Sequence, residues 1–200
     1  MYLRAEAILI ASRAHGETAS IGRFLTKDHG LLAGYVSGGR GRSLRPLLIP
    51  GNILAIELTS KSHDHLPFAK VELVLSRGPW LSEPLPAAAI SWASVLTATA
   101  LPERNPYPLI FDALDSLLLA VCNAPAARGW LPAMISYETL LLRELGYGGD
   151  RPELSEDLTA LIALFDRLEL LLDRYLLADR RSNVMETRKL LRERITRMLS

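Results

Sequence analysis

The most chemically suggestive stretch of the sequence is a basic, glycine-rich segment at residues 38–46. It places Arg40, Arg42 and Arg45 among three glycines, with an apolar run on either side. An arginine can donate paired hydrogen bonds to phosphate oxygens, and glycine lets a bulky partner approach the backbone closely. The pattern predicts a mobile basic loop between two strands that contacts a polyanion. The alternative is a solvated hairpin tip whose charges only maintain solubility.

The sequence offers no set of residues that would form a catalytic or metal site. The glycines of the basic segment lack the lysine and Ser/Thr of a nucleotide-binding loop. The single cysteine, Cys122, excludes a multi-cysteine zinc site, and we expect it to pack as a small buried hydrophobe. The His63-Asp64-His65 triplet could ligate a metal, but a solvated polar turn is the better interpretation. We therefore expect a protein that is not an enzyme and needs no metal or cofactor.

Charge is distributed unevenly along the 200 residues. Residues 1–80 carry ten Lys/Arg and six Asp/Glu, a net charge of +4, whereas residues 81–200 carry thirteen and sixteen, a net charge of −3. This asymmetry suggests a basic module attached to a mildly acidic one. Arg4 and Glu6 interrupt any secretory signal, and no apolar stretch is suited to span a membrane. A cytoplasmic location is the expectation.

Hydrophobic periodicity changes near residue 80. Before that point, short runs and one clear period-two alternation predict five strands, with residues 27–30 as a hairpin turn. Five strands in about eighty residues favour a small barrel of the oligonucleotide-binding type, because closure removes exposed sheet edges. The predicted strands are residues 5–11, 21–26, 31–36, 53–58 and 70–75.

After residue 80 the spacing of apolar residues is helical. Gly146 is expected to close the third helix, Ser155 to cap the fourth, and Asn183 with Glu186 to cap the fifth. The predicted helices are residues 87–100, 108–122, 131–145, 155–177 and 183–198. The fold class expected is therefore α+β with two domains, a five-stranded barrel at residues 1–80 followed by an all-α domain at residues 81–200.

Several stretches together resemble the RecO family of bacterial recombination mediators, over nearly the full length of the chain. The hairpin from Phe24 to Leu32 is the most specific of them, and the order and spacing of the whole set add to the resemblance. The other stretches are residues 5–9, His15-Gly16-Glu17-Thr18, the basic segment through Pro50, residues 107–111, and Tyr137-Glu138 through Gly146-Tyr147-Gly148.

The resemblance implies an oligonucleotide-binding (OB) barrel followed by a helical domain. It also implies binding of single- and double-stranded DNA, annealing of complementary strands, and partnership with RecR and single-stranded DNA-binding protein (SSB) in loading recombinase, at the nucleoid. Many family members carry a four-cysteine zinc module after the Gly-Tyr-Gly turn. Here only residues 150–154 bridge to the next helix, so the chain is expected to lack that module.

These expectations define two candidate surfaces. For DNA we expect mainly phosphate contacts, because Phe24, Tyr35 and Phe68 are better candidates for the barrel core than for base stacking. For the acidic tail of SSB, the exposed side of the last helix offers a basic rim, unless it is only a charged face paired with glutamates. The DNA candidates are Arg40, Arg42 and Arg45, with Arg13, Lys27 and Lys61 as neighbours, and the rim candidates are Arg188, Lys189 and Arg192. Two other functions remain open, an RNA-binding barrel and a protein-docking scaffold with an inert barrel.

Overall fold

The computed structural model describes residues 2–61, 65–124, 126–148, 152–178 and 183–197, and His63 and Asp64 lie outside these ranges. The chain forms two compact units. The first comprises Met1–Ser82 with Leu101–Pro108, and the second comprises Glu83–Ala100 with Leu109–Ser200. Strands occupy the first unit and helices the second, so the predicted α+β class is confirmed.

Five strands close into a barrel in the first unit. Neighbours are antiparallel except for one parallel bridge between Tyr35 of β3 and Phe68 of β5. The order around the barrel is β1-β2-β3-β5-β4, and pairing of β1 with β4 completes the closure. This is the five-stranded OB architecture that the sequence predicted. The strands are β1 (Tyr2–His15), β2 (Ala19–Thr26), β3 (Gly30–Val36), β4 (Ile53–Thr59) and β5 (Phe68–Leu75).

Alternate residues of each strand fill the barrel interior. Leu9, Phe24 and Leu54 are completely buried there. Gly22 makes room for the Phe24 ring, since a Cβ at position 22 would lie 2.4 Å from the ring. In β5, Ala69 faces the interior and is flanked on the outer face by Phe68. The side chains of the outer face are therefore set by strand register.

A register shift in β1 changes the face that the side chains of its last third occupy. The shift falls between Leu9 and Ala11, after which Ser12 pairs with Gly22 and Arg13 pairs with Ile21. Such a bulge moves one extra residue into the strand and changes which face the following side chains occupy. Beyond it, Arg13 projects from the outer face near the β1–β2 turn.

The segment Leu101–Pro108 belongs to the first unit although it follows the first helix in sequence. Glu103 forms a parallel bridge with Leu31, and the Arg104 amide donates to the Leu31 carbonyl at 3.0 Å. Gly30, with φ of +70°, lies so close to this segment that an added Cβ would be 2.2 Å from the Asn105 carbonyl oxygen. The β2–β3 hairpin is thus packed against the segment.

The described residues of the second unit form five α-helices. A π-helical turn, Asp173–Leu177, extends the fourth helix, and Gly146 follows the third in a left-handed conformation, as predicted. The fourth helix differs from expectation at its start. Its cap is Asp157, whose carboxylate accepts from the Ala160 amide at 3.0 Å, and Ser155 instead accepts from the Asp157 amide. The helices are α1 (Pro84–Ala100), α2 (Pro108–Asn123), α3 (Leu131–Glu144), α4 (Leu158–Leu172) and α5 (Asn183–Thr196).

Within the described ranges, no helix combines the length and apolarity needed to cross a bilayer. The side chain of Asn183, predicted as a cap, lies outside the described residues. Cys122 is half-buried in α2.

Candidate nucleic-acid interface

The basic segment between β3 and β4 is folded into consecutive hydrogen-bonded turns. The Arg45 amide donates to the Gly41 carbonyl at 2.9 Å, and the Leu48 amide donates to the Leu44 carbonyl at 3.2 Å. Leu48 is buried in the barrel core, with Leu44 and Leu47 packed against it. The segment lies between two strands, as predicted, and leucines anchor it to the core. Its three arginines, Arg40, Arg42 and Arg45, are nonetheless exposed.

Arg40 connects the basic segment to the β1–β2 turn. Its amide donates to the Thr18 carbonyl at 3.0 Å, and its Nη1 donates to the Gly16 carbonyl at 3.0 Å. These bonds hold the guanidinium beside the turn. In OB barrels, this turn, the β4–β5 loop and the face of strands 2 and 3 bind oligonucleotides.

Three aromatic rings lie between that turn and the start of β5. The His15 and Tyr35 ring centroids are 5.8 Å apart, and those of Tyr35 and Phe68 are 5.3 Å apart, both edge to face. Phe68 is 62% exposed, Tyr35 is half-buried and His15 is exposed. Exposed rings of this kind can stack on the bases of a single strand. We call His15, Tyr35 and Phe68 the aromatic cluster.

The placement of the aromatic rings differs from expectation. Phe24 is in the core, as predicted, but Phe68 is largely exposed, so its assignment to the core was wrong. The alternation of β5 carries a signal for this, because Ala69 and Val71 face inward and thereby place Phe68 outside. His15 was named only as part of a family motif and not as a site residue, because its contact with Tyr35 joins positions 20 residues apart.

Two further predicted cations lie close to the aromatic cluster. Arg13 pairs with Ile21, which pairs with Tyr35, which in turn pairs with Phe68, so one row of residues crosses four strands. At the usual spacing between strands the row spans roughly 14 Å. Lys61 is exposed two residues beyond Thr59, the β4 partner of Phe68. Arg13 and Lys61 therefore flank the cluster on opposite sides.

Lys27 does not join this group. It follows Thr26 at the far end of β2, whereas the aromatic cluster lies beside Ala19 at the near end. Seven residues of strand separate the two ends, about 24 Å. Arg13, Arg40, Arg42, Arg45 and Lys61, together with the aromatic cluster, form what we call the aromatic–basic end of the barrel.

The rim residues of α5 have three different environments. Arg188 is completely buried, although we expected it on the exposed side, so this placement was wrong. Lys189 is exposed and pairs with Glu186 at 3.0 Å, and Arg192 is partly exposed and pairs with Asp166 at 2.8 Å. Both accessible cations already have carboxylate partners.

Arg188 is held by a dense set of partners in the helical unit. Its Nε and Nη2 donate to the two carboxylate oxygens of Glu138 at 3.2 and 3.0 Å, and Nη2 also donates to the Phe165 carbonyl at 2.6 Å. Trp92 donates to the same carboxylate at 2.7 Å. Burial raises the pKa of the Glu138 carboxyl, opposed by the charge and hydrogen bonds of Arg188. Arg188 therefore links α5 to α3 and α4 and is not available to a partner.

Metal ligands do not converge in the part of the chain that the structure describes: no three His, Cys, Asp or Glu side chains there could hold an ion together. What the barrel does present is exposed cations and exposed rings at one end. The closed five-stranded barrel defines the class of the first unit, an OB-fold domain.

Comparison with known families identifies the chain more closely. The family model described as recombination protein O, N terminal, matches residues 1–77, and the model described as recombination protein O, C terminal, matches residues 82–158. The chain belongs to the RecO family, as its sequence motifs predicted.

Curated relatives agree with this assignment. The DNA repair protein RecO of Rhodospirillum centenum (strain ATCC 51521 / SW) is 39% identical over 146 residues, covering 72% of this chain and 57% of the relative. That of Phenylobacterium zucineum (strain HLK1) is 37% identical over 147 residues, covering 72% and 59%. That of Ruegeria sp. (strain TM1040) is 38% identical over 148 residues, covering 74% and 60%. The chain thus spans less than two thirds of the length of these relatives.

Proposed function

We propose that this chain is a mediator of DNA repair by homologous recombination that binds single- and double-stranded DNA at the aromatic–basic end of its barrel. The main observation behind the proposal is that exposed arginines and the aromatic cluster lie together at one end of an OB barrel. Five cations there can neutralise phosphates: Arg13, Arg40, Arg42, Arg45 and Lys61. Membership of a family whose curated relatives are named DNA repair proteins supports the same role.

Two interactions contribute to binding at this end, neutralisation of phosphates and stacking of bases. Each phosphate neutralised releases counterions, so five contacts to a single strand give a log–log salt slope of roughly −3.5. Base stacking on an exposed ring contributes roughly 1 to 3 kcal/mol per base and tolerates any sequence. Phe68 is the ring best placed for stacking because it is 62% exposed. The binding is therefore tight at low salt and insensitive to sequence.

Annealing of complementary strands follows from the same surface. Two strands repel each other through their phosphates, and a cationic surface lowers that repulsion while leaving base edges free to pair. The process needs no covalent step, so the proposed protein acts without a catalytic residue, metal or cofactor. Its place of action is the bacterial nucleoid.

The proposed protein partners are RecR and SSB, with which the chain would help load recombinase onto coated single strands. Of the three predicted rim residues on α5, Lys189 and Arg192 remain accessible to the acidic SSB tail, and each must exchange a carboxylate of its own chain for one of the tail. Calorimetry of the full chain with a tail peptide at low salt tests this part separately. Charge-reversed tail peptide is the control, and no heat of binding with the native tail would refute it.

A direct test compares single-stranded DNA, duplex DNA and single-stranded RNA of matched sequence by fluorescence anisotropy at several salt concentrations. We expect single-stranded DNA to bind with the slope given above, and the protein to accelerate annealing of SSB-coated complementary oligonucleotides. Clear preference for RNA would favour the RNA-binding alternative. Failure to bind any of the three would leave the scaffold alternative, in which the barrel is inert.

A further inference from the structure

A pocket of about 330 Å³ opens within the aromatic–basic end of the barrel. Ser12 of β1 and Ser20 of β2 line part of this pocket, and residues between β3 and β4 line the rest. Its walls are mostly polar, which is unusual for a cavity adjoining a hydrophobic core. The lining residues are Ser12, Ser20, Gly39, Arg40, Arg45 and Leu48.

The main chain of both pocket arginines is held by hydrogen bonds, and neither charge is compensated by a carboxylate of the described residues. The main-chain amide of Arg40 donates to Thr18, and its side chain donates to Gly16. Only the second bond uses one of the five side-chain donors of Arg40. Arg45 sits in the turn closed by its amide bond to Gly41. Neither forms an ion pair with a carboxylate of the described residues, so both positive charges are available to a ligand.

Ser20 supplies a further polar group at the same space. It is 5% exposed, and its hydroxyl has no hydrogen-bond partner among the described residues. Position 39 has no room for a larger residue beside Ser20, because an added Cβ would lie 2.8 Å from Ser20 Cβ, 3.0 Å from its Oγ and 2.9 Å from Leu48 Cδ1. The Ser20 hydroxyl can therefore donate a hydrogen bond to a ligand in the pocket or accept one from it.

The backbone amides of the lining residues between β3 and β4 are not available to a ligand. Those of Gly39, Arg40 and Gly41 donate to carbonyls of Val36, Thr18 and Gly38. Any anion in the pocket must therefore be held by side chains, two guanidinium groups and the serine hydroxyls. This donor set suits a compact group with several oxygens and two negative charges.

We propose that this pocket binds the terminal phosphate monoester of a nucleic-acid strand. A monoester is a dianion at pH 7.5, because its second pKa is about 6, and it presents three oxygens to the two arginines and Ser20. An internal phosphodiester has one charge, and its chain must leave on both sides, whereas Gly39 and Leu48 form a buried floor. The proposal rests on the proposed function and adds recognition of strand ends to it.

The test measures the affinity of the full chain for a short oligothymidylate with a 5′-phosphate, a 3′-phosphate or only hydroxyl ends. We expect one phosphorylated end to bind about tenfold more tightly than the hydroxyl form, the effect of one added charged hydrogen-bonded group. A preference for the 5′-phosphate or for the 3′-phosphate shows which end of a strand the pocket binds. Inorganic phosphate should compete for the phosphorylated oligonucleotide more effectively than for the hydroxyl form.

Variants distinguish the pocket from a general charge effect. Arg45→Ala and Ser20→Ala should each remove most of the preference for the phosphorylated end. Arg42→Ala is the matched control, because Arg42 belongs to the same segment but does not line the pocket; it should weaken binding of all oligonucleotides and keep their ratio. Melting curves confirm that each variant is folded.

Equal affinity for all three ends, or equal loss of the preference in Arg42→Ala and Arg45→Ala, would overturn the proposal while leaving DNA binding intact. If the wild-type protein bound none of the oligonucleotides, the proposed function itself would be refuted, and end recognition with it.

Discussion

Replacing Arg188 with alanine should strongly destabilise the helical unit. The change leaves the Glu138 carboxylate completely buried, with Trp92 as its remaining donor among the bonds described above. Breaking a buried ion pair by removing one partner typically costs about 3 to 5 kcal/mol. The guanidinium also packs 3.7 Å from the centre of the Phe165 ring, a contact that alanine cannot make. In a chain of this size the melting temperature should fall by about 6 to 20 °C.

Thermal and urea unfolding followed by circular dichroism measure this effect. Lys189→Ala is the matched control, since its pair with Glu186 is exposed to solvent and should contribute little to stability. The double variant Arg188→Leu, Glu138→Leu should be less destabilised than Arg188→Leu alone, because it leaves no unpaired buried charge. An Arg188→Ala protein within about 1 kcal/mol of wild type would refute the structural role of Arg188.

Three further outcomes are expected. Phe68→Ala should weaken binding to single-stranded DNA by roughly 1 to 3 kcal/mol without lowering the melting temperature, and an unchanged affinity in anisotropy titrations would exclude Phe68 as a stacking ring. Gly30→Ala should destabilise the barrel by about 2 kcal/mol or more in urea titrations, whereas Gly16→Ala, with no atom within 4 Å of the added Cβ, should cost only about 1 kcal/mol; equal effects would contradict the close packing at Gly30. Chelator should leave folding unchanged, as measured by circular dichroism, and stoichiometric zinc whose removal unfolds the protein would contradict this.

The barrel was predictable because its strands follow simple rules. Alternation and short apolar runs located all five strands, and each observed strand contains the predicted one. The ends were less accurate. β1 begins at Tyr2 and continues to His15, well beyond predicted residues 5–11, because pairing with two neighbours keeps polar residues in the strand. Cross-strand partners of this kind are not visible in a single segment.

The error at Arg188 has an instructive cause. Leu190 of α5 is 43% exposed, and the buried positions among the described side chains of this helix are 188, 191 and 195. Spacings of three and four place these three positions on one face, so the helical pattern was present in the sequence. An arginine was nevertheless assigned to solvent, because its burial requires the carboxylate of Glu138, 50 residues away.

The candidate site was only partly predictable. The arginine segment was recognised from local composition, but the leucines that anchor it to the core were not distinguished from a neighbouring strand. The grouping of Arg13 and Lys61 with the aromatic cluster, and the separation of Lys27 from it, depend on strand register. Register is a property of the whole barrel and is fixed by pairs distant in sequence.

The measurement that tests the central claim most directly is the salt dependence of single-stranded DNA binding by two triple variants. In one, Arg40, Arg42 and Arg45 are replaced by alanine; in the other, Arg4, Lys27 and Lys70, which are exposed elsewhere on the barrel, are replaced, with the same change in net charge. We expect the first variant to melt near the wild-type temperature, to bind at least tenfold more weakly and to lose about 2 from the magnitude of its log–log slope. The second should lose much less affinity. Equal losses in the two variants, or a folded arginine variant that binds and anneals as well as wild type, would contradict the assignment of DNA binding to this end of the barrel.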